Sequence, residues 1–376
     1  MGNGKTHRVA LVGAGSIAAT HLGFVKGIRN ASVVALCDPV PNKAQELAAA
    51  KEIDTACYTD LDAMLREVEP SVVHVVTPPA THADLAVRAM EGGANVLVEK
   101  PMALRVADCD RMIAAERANG RRLCVDHNRL FDPVVRRAMD RVARGEVGEV
   151  VSVESYQGVN QVELGGGATA QWRIENPFAP FYNLAPHPFY LVGHLLGPVR
   201  RAQVMGRAGH AGSPLVTEVR AQLEGERAYG FVVFSMAAQP YLNHLNVYGT
   251  KATLRINLNT MTIVSERVRS KLPKLVAKLA SNMEPAAQLV AGTVENVVGV
   301  ATRRMKLYPG IGETIRRFYR SLEDGAAPPV DGGAGRENVR LLNLVEDVLS
   351  SELARPAASA SAAANGHANG ERTWTS

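Results

Sequence analysis

The stretch Val9–Ala18, VALVGAGSIA, decides the fold of this chain of 376 residues. Four apolar residues without polar alternation predict a buried strand, and Gly-x-Gly-x-x-Ala follows directly and opens a helix. In this arrangement Gly13 makes the tight turn, Gly15 lets the backbone approach a pyrophosphate, and Ala18 allows close packing of helix on strand. The stretch therefore predicts the first turn of a dinucleotide-binding βαβ unit.

The helix and the next strand supply further candidates for cofactor binding. The backbone N–H groups of Ser16 and Ile17, in the first turn of the helix, are free to bind phosphate oxygens. Asp38 ends the second predicted strand, about 20 residues downstream, where a carboxylate accepts ribose hydroxyls and repels a 2′-phosphate. Because Pro39 and Val40 add no cation, we expect NAD rather than NADP. The alternative is a glycine turn followed by an ordinary surface aspartate.

Residues 7–126 alternate short β-branched runs with longer helical stretches. Strands are predicted at Arg8–Val12, Ser32–Cys37, Ser71–Val76, Asn95–Val98 and Arg122–Val125. Helices are predicted at Asn42–Lys51, Leu61–Arg66, His82–Glu91 and Val106–Asn119. Apolar strands separated by helices are typical of a parallel sheet covered on both faces. We therefore expect an α/β Rossmann domain with a doubly wound parallel sheet.

The pattern then changes, and residues 127–353 predict a second, α+β domain with an open antiparallel sheet. A helix is predicted at Pro133–Arg144. Strands separated by polar turns are predicted at Val150–Tyr156, Arg200–Gly206, Leu215–Leu223, Ala228–Met236, Leu242–Tyr248 and Thr253–Leu258. Glu337–Leu353 predicts a closing amphipathic helix, and residues 354–376, rich in Ala, Ser, Asn and Gly, predict a disordered tail.

Composition excludes several classes of protein. The net charge of +5 is mild for 376 residues and gives no reason to expect nucleic acid as a partner. The cysteines Cys37, Cys57, Cys109 and Cys124 have no paired spacing, so neither a disulfide framework nor a metal site is expected. No signal peptide or membrane-spanning stretch is recognised. These features predict a cytoplasmic protein.

Residues 266–306 differ from the rest of the second domain. Five basic residues precede the apolar stretch Ala286–Ala301, and three follow it. The apolar part contains Glu295 and Asn296 and is too short to span a bilayer. A basic amphipathic helix pair could lie on an anionic membrane surface. The alternative is an insertion that covers the substrate domain or makes a subunit contact.

Two loops fall at the carboxyl ends of predicted strands, where open parallel sheets bind their ligands. TPP at 77–79 follows the third strand, and we expect Thr77 and Pro78 to lie beneath the cofactor. His82 is either a helix-start residue or a cofactor contact. EKP at 99–101 ends the fourth strand and is expected to face the nicotinamide half of the site.

Together these motifs resemble the Gfo/Idh/MocA family of oxidoreductases, which includes glucose–fructose oxidoreductase and inositol dehydrogenases. The glycine loop, Asp38, TPP and EKP carry the resemblance, and GEVG at 145–148 and VYGT at 247–250 extend it. It covers about residues 7–353 without 266–306. The resemblance implies hydride transfer at a sugar or cyclitol carbinol.

The resemblance also implies which residues do the chemistry. Lys100 contacts the reacting oxygen and stabilises an alkoxide as hydride leaves, and Glu99 orients Lys100 or the nicotinamide ribose. His187 matches the histidine of the family's Asp-x-x-x-His motif and takes the carbinol proton. Asn183 stands where that motif has aspartate, so it can act only through a hydrogen bond. Tyr190 is a further candidate catalytic residue.

Four residues are candidates for substrate binding. Asn128 and Arg129 follow the last strand of the first domain closely enough to reach the pocket. Trp172 and Arg173 are candidates of another kind, because an aromatic ring suits a sugar face and an arginine suits an anionic group.

We therefore expect an NAD-dependent oxidoreductase that transfers a hydride between a carbinol carbon of a sugar, polyol or nucleotide-activated sugar and nicotinamide. The alternative is a non-catalytic NAD-binding regulatory or scaffold protein of the same fold, which Asn183 favours. Lys100 and His187 would then have structural roles. The exposed face of the second sheet usually needs a partner, so a homo-dimer or homo-tetramer is expected.

Overall fold

A parallel six-stranded sheet forms the first domain of this computed structural model. The structure describes residues 6–158, 176–208, 215–267, 273–302, 304 and 307–353. The strands are β1 (His7–Val12), β2 (Ala31–Cys37), β3 (Ala56–Tyr58), β4 (Val72–Val75), β5 (Asn95–Val98) and β6 (Leu123–Val125). Their spatial order is β3-β2-β1-β4-β5-β6, and all pairings are parallel. The order reverses between β1 and β4, which is where such sheets bind ligands.

Helices cover both faces of this sheet, which confirms the doubly wound fold expected from the sequence. They are α1 (Ser16–Val25), α2 (Lys43–Ala50), α3 (Leu61–Val68), α4 (His82–Glu91) and α5 (Val106–Ala118). One core contains side chains of α1 and α2, and the opposite core contains those of α3, α4 and α5. The sequence missed β3 because its three residues are partly exposed and adjoin polar Asp54 and Thr55.

A seven-stranded sheet forms the second domain. Its strands are β7 (Val150–Gly158), β8 (Val199–Ala208), β9 (Val216–Gly225), β10 (Tyr229–Ser235), β11 (Asn243–Gly249), β12 (Ala252–Asn257) and β13 (Thr262–Arg267). They are ordered β13-β12-β11-β7-β10-β9-β8. All pairings are antiparallel except that of β7 with β10. The predicted α+β domain with an antiparallel sheet is thus confirmed, with one parallel pair and one further strand, β13.

Six more helices complete the described part of the chain. They are α6 (Pro133–Ala143), α7 (Ala179–Leu184), α8 (Pro186–Leu196), α9 (Lys274–Ala301), α10 (Pro309–Asp324) and α11 (Gly332–Leu353). Apolar side chains of α8 and α11 bury one face of the second sheet. The closing helix α11 starts earlier than the predicted Glu337, because three glycines in its first turn hide the helical pattern. The predicted tail, 354–376, lies outside the described residues.

The helix α10 was not predicted, and it packs against the first domain. Its residues Ile311, Ile315 and Phe318 are buried in the core that contains α1 and β1. The chain therefore returns to the first sheet after the second sheet has been completed.

Among its described residues, the basic insertion contains one helix of 28 residues, α9, where a helix pair was expected. It lies along β13, at the edge of the second sheet. Among the described residues, no helix combines the length and the apolar content that crossing a membrane requires.

Replacing Ile315 by alanine should lower the free energy of unfolding by about 2–5 kcal/mol, because its fully buried side chain would leave a cavity. Urea unfolding followed by circular dichroism measures this loss. Leu275→Ala is the matched control, because Leu275 is also in a helix but is 72% exposed. It should stay within about 0.5 kcal/mol of the wild type. Equal losses in both variants would contradict the buried position of α10.

Candidate active site

The glycine loop lies where the strand order reverses. Gly13 has a φ of +99°, and a Cβ there would lie 2.7 Å from the carbonyl oxygen of Val76, so glycine is required. The N–H of Gly13 donates to the carbonyl oxygen of Cys37 at 2.8 Å. The loop after β1 is thus packed against the ends of β2 and β4, at the carboxyl edge of the sheet.

The start of α1 is open to a ligand. Gly15 precedes the helix without a side-chain cap, and a Cβ at Gly15 would have no neighbour within 4 Å. Ser16 is exposed and Ile17 is half-buried. The N–H groups of the first turn are therefore accessible to an anion such as a pyrophosphate.

Asp38 lies directly after β2, beside the glycine loop, and is only 6% exposed. Its Oδ2 accepts the N–H of Ala14 at 2.8 Å, and its Oδ1 accepts the N–H of Val40 at 3.0 Å. A carboxylate offers about four lone-pair positions, so about two are left for ribose hydroxyls. The open helix start and this oriented carboxylate therefore fit a dinucleotide.

The loops after β4 and β5 are joined by His82. Its Nδ1 lies 2.9 Å from the carbonyl oxygen of Pro101, and its Nε2 lies 2.8 Å from that of Thr77. The ring is fully buried. In this conformation neither nitrogen is available to a cofactor, which differs from the expected cofactor contact. His82 instead positions the loop that contains Thr77 and Pro78.

Glu99 directly follows β5 and is a buried charged group among other polar side chains. It is 6% exposed, its Oε1 lies 3.1 Å from Nε2 of His21, and its Oε2 accepts the N–H of Lys100 at 3.1 Å. Burial alone would raise the pKa of Glu99. The hydrogen bond and the charge of His21, followed by the charge of Lys100, outweigh burial and hold this pKa below its usual range.

A buried hydrogen-bonded chain continues from His21 across the sheet. Nδ1 of His21 lies 3.0 Å from Nδ1 of His74, and Nε2 of His74 lies 2.8 Å from the Tyr319 hydroxyl. Because a histidine ring nitrogen donates or accepts according to its protonation, the rings of His21 and His74 can connect the Tyr319 hydroxyl to Glu99 through hydrogen bonds. Burial lowers the pKa of His74 well below its usual value, which agrees with a neutral ring.

Sequence analysis did not predict this series of hydrogen bonds, which joins His21 on α1, His74 on β4 and Tyr319 on α10. The one available signal was His74, a histidine inside the apolar strand VVHV.

Asp126 directly follows β6 and lies beside His21 and Glu99. It is fully buried, and its Oδ2 lies 3.6 Å from Nε2 of His21. Burial, together with the charge of Glu99, raises the pKa of Asp126 well above its usual value. The ligand atoms of His21, Glu99 and Asp126 lie within 4.8 Å of one another, a spacing that would also suit a metal ion. The raised pKa keeps a proton on Asp126, and the carboxyl group donates it in a hydrogen bond to Glu99.

Lys100 links the two domains. Its Nζ donates to the backbone carbonyl oxygen of Asn183, on α7, at 2.6 Å. Burial lowers the pKa of Lys100, and the charge of Glu99 opposes that shift. The contact with Asn183 therefore uses the backbone and does not depend on the amide that replaces the expected aspartate.

His187 stands in the first turn of α8, close to this lysine. Its Nδ1 lies 2.8 Å from the Tyr190 hydroxyl, which accepts the N–H of Arg129 at 3.0 Å. The ring of His127 stacks on that of Tyr190, with 4.2 Å between centroids. Burial, and then the charges of Lys100 and Arg129, lower the pKa of His187 well below 6.5. The imidazole is therefore neutral near pH 7.

The neutral imidazole of His187 can act as a base. A hydroxyl oxygen has two lone pairs, so Tyr190 can accept from Nδ1–H of His187 as well as from Arg129. In this tautomer Nε2 carries no hydrogen and can take a proton from a substrate.

The expected substrate residues divide into two groups. Asn128 begins the short 3-10 turn Asn128–Phe131, and Nη1 of Arg129 pairs with Oδ2 of Asp132 at 3.2 Å. The structure thus brings Asn128 and Arg129 beside Tyr190 and His187, and it adds Asp132. Trp172 and Arg173 lie outside the described residues.

The two domains match models of known families. Residues 7–127 match the oxidoreductase family described as an NAD-binding Rossmann fold, and residues 135–255 match the GFO/IDH/MocA C-terminal domain. The chain belongs to the Gfo/Idh/MocA family. Its first domain is accordingly an NAD-binding Rossmann domain, as the glycine loop and Asp38 indicated.

Several Gfo/Idh/MocA relatives match part of the chain. An inositol 2-dehydrogenase of Salmonella paratyphi B is 31% identical over 150 residues, 39% of this chain and 45% of that protein. Inositol 2-dehydrogenase 1 of Saccharopolyspora erythraea is 33% identical over 196 residues, 51% of this chain and 55% of that protein. The match thus spans about half the length of these relatives.

A solved structure shares the whole Gfo/Idh/MocA fold. The WlbA dehydrogenase of Bordetella pertussis, in complex with NADH and UDP-GlcNAcA, has a TM-score of 0.72 at 20% identity. The superposition covers 91% of this chain and 95% of that chain. At this identity the likeness concerns the fold alone.

Replacing Asp126 by asparagine should stabilise this Gfo/Idh/MocA chain increasingly, relative to the wild type, as the pH rises. The folded wild type keeps a proton on Asp126 that the unfolded chain loses above about pH 4, so a rising pH favours unfolding. Asparagine removes this dependence and can still donate to Glu99. Urea unfolding at about pH 4.5 and pH 8 measures the difference.

Two further variants complete this experiment. Asp126→Ala leaves Glu99 without that donor and should lose about 1–3 kcal/mol. Asp54→Asn, at an exposed position, should show no growing gain with pH. If Asp126→Asn instead lost stability as the pH rose, Asp126 would be ionised in the folded protein.

Proposed function

We propose that the protein is an NAD-dependent oxidoreductase that transfers a hydride between a carbinol carbon of a sugar, polyol or nucleotide-activated sugar and nicotinamide. The observation that supports this proposal is the contact of Lys100 with the backbone of Asn183, on the helix that precedes His187, together with the lowering of the His187 pKa by the charge of Lys100. The names of the relatives, inositol 2-dehydrogenases and a dehydrogenase bound to UDP-GlcNAcA, support this substrate class.

Each residue has a defined part in alcohol oxidation. When bound, NAD accepts the hydride from the carbinol carbon. Lys100 has three N–H donors, of which Asn183 uses one, so it can donate to the substrate oxygen and stabilise developing negative charge there. His187 takes the hydroxyl proton on Nε2, and the C–O bond becomes a carbonyl. In reduction the same groups return the proton to the oxygen.

The residues around this pair hold it in place. Tyr190 fixes the tautomer of His187 and ties it to the backbone of Arg129. Glu99 and Asp126 lie behind Lys100, and Glu99 supplies the negative charge that favours the ammonium. Arg129 and Asn128, on the turn beside Tyr190, are the candidates for contacts with polar groups of the substrate.

A non-catalytic NAD-binding regulator is the second candidate function. The observation that favours it is Asn183, whose amide cannot carry the charge of the aspartate expected at this place. Under this alternative the nucleotide binds but no sugar or polyol is oxidised.

We also infer a homo-dimer or homo-tetramer. Met205, Tyr229 and Phe231 are exposed on the second sheet, and a partner copy would cover them. A cytoplasmic location stays a prediction from the sequence.

Lys100→Ala and His187→Ala should each lower turnover by roughly 10²–10⁴-fold while NADH still binds. The assay is NADH formation with a panel of inositols, glucosides and UDP-sugars, and NADH affinity is measured by fluorescence titration. Lys26→Ala, at an exposed position of the first domain, is the matched control and should keep full turnover. Full turnover in Lys100→Ala would refute the assignment, and NADH binding without turnover of any substrate in the wild type would favour the regulator.

Tyr190→Phe should lower kcat about ten-fold with little change in KM, because it touches His187 and not the substrate. The phenyl ring can still stack on His127, and Tyr308→Phe at an exposed position is the control. In the wild type, kcat for oxidation should stay level from about pH 8 to 6.5, because the pKa of His187 lies below 6.5. An acid decline centred above pH 6.5 would exclude His187 as the base.

A further inference from the structure

The helix α9 packs on the second domain with its polar side. The side-chain amide of Gln288 pairs with the backbone of Ser265, accepting its N–H at 2.8 Å and donating to its carbonyl oxygen at 3.0 Å. Nδ2 of Asn296 donates to the carbonyl oxygen of Thr260 at 2.6 Å. The Gln288 amide thus satisfies backbone groups at the sheet edge formed by β13, which would otherwise be open to another strand, and Asn296 binds the turn that precedes β13.

The opposite side of α9 is apolar and exposed. Its most exposed side chains are Leu275 (72%), Leu279 (62%), Met283 (70%), Val290 (65%), Val294 (57%), Val297 (63%) and Val300 (63%). An ordinary surface helix has the reverse arrangement, with its apolar side against the core. Within the part of the chain that the structure describes, nothing covers this surface, which we name the α9 face.

The charges around the α9 face indicate an anionic partner. Residues 266–306 contain eight Lys and Arg against three Glu, a net charge of +5 that equals the net charge of the whole chain. Arg267 lies in β13 and pairs with Glu146 at 3.6 Å. No Lys or Arg occurs in 279–302, so in sequence the other seven fall before position 279 or after position 302, toward the two ends of the helix. Glu295, within the helix, is paired with Arg137 at 2.7 Å.

A second copy of the chain is a poorer match for the α9 face. Positions 276, 279, 283, 286, 290, 293, 297 and 300 have the 3–4 spacing of a coiled-coil seam. The positions beside that seam include Leu275, Leu289 and Val294 and offer no opposite charges for pairing. Both ends of the helix are basic, so two copies would bring like charges together in either orientation. The apolar surface is also wider than a two-stranded seam.

We propose that α9 binds the surface of an anionic phospholipid bilayer. The helix lies parallel to the membrane, with the α9 face in the boundary between headgroups and acyl chains and its basic ends on lipid phosphates. With 28 residues it extends for about 42 Å along the surface. This proposal goes beyond the proposed function, because hydride transfer to a soluble substrate does not require it.

Co-sedimentation of the full-length protein with vesicles tests the proposal. Vesicles of phosphatidylcholine with about 30% phosphatidylglycerol should bind the protein at least ten-fold more strongly than phosphatidylcholine alone, and high salt should weaken this binding. Val290→Glu, in the middle of the α9 face, should reduce binding at least ten-fold. Val151→Glu, an equal change at a residue 52% exposed on the second sheet, is the control and should bind as the wild type does.

Two further measurements distinguish lost lipid binding from other effects of the Val290→Glu substitution. NADH affinity and thermal unfolding of Val290→Glu should match the wild type, which shows that lost lipid binding is neither misfolding nor a failure of the nucleotide site. Equal binding to both vesicle types, or none to either, would overturn the proposal. Self-association would replace the membrane proposal under two conditions. Light scattering would have to show an oligomer that Val290→Glu dissociates and Val151→Glu does not, and neither the wild type nor Val290→Glu would bind vesicles.

Discussion

The buried carboxylate of Glu99 is the constraint on which the rest of the site depends. A charge at the end of a central strand is costly unless it is paired and hydrogen-bonded. Its partners come from three places: His21 on α1, the N–H of Lys100 beside it, and Asp126 after β6. By collecting these groups at one point, Glu99 fixes the carboxyl edge of the sheet beneath Lys100.

Two contacts connect the residues around Glu99 to the second domain. Lys100 reaches the backbone of Asn183 on α7, and the Tyr190 hydroxyl on α8 accepts the N–H of Arg129. The reacting groups therefore lie on rigid elements of both domains, between the glycine loop and α8. Such a joint between domains is a common place for a ligand pocket.

The polar packing of α9 follows from the needs of a sheet edge. β13 has unpaired backbone groups on its outer side, and amide side chains such as Gln288 satisfy them as a strand would. Once the polar side of the helix faces the sheet, helical geometry turns its valines and leucines outward. The segment 266–306 also has a net charge of +5, equal to that of the whole chain.

The sequence by itself determined the features that depend on neighbours along the chain. Apolar runs, the glycine loop, Asp38 and the position of EKP at a strand end predicted the Rossmann domain and its binding edge. Only the tertiary structure decided which distant groups meet, such as His74 and Tyr319, 245 positions apart. It also decided which side of α9 faces the sheet. Local spacing sets strands and helices, whereas partners for buried polar groups are selected by packing between elements that the sequence separates.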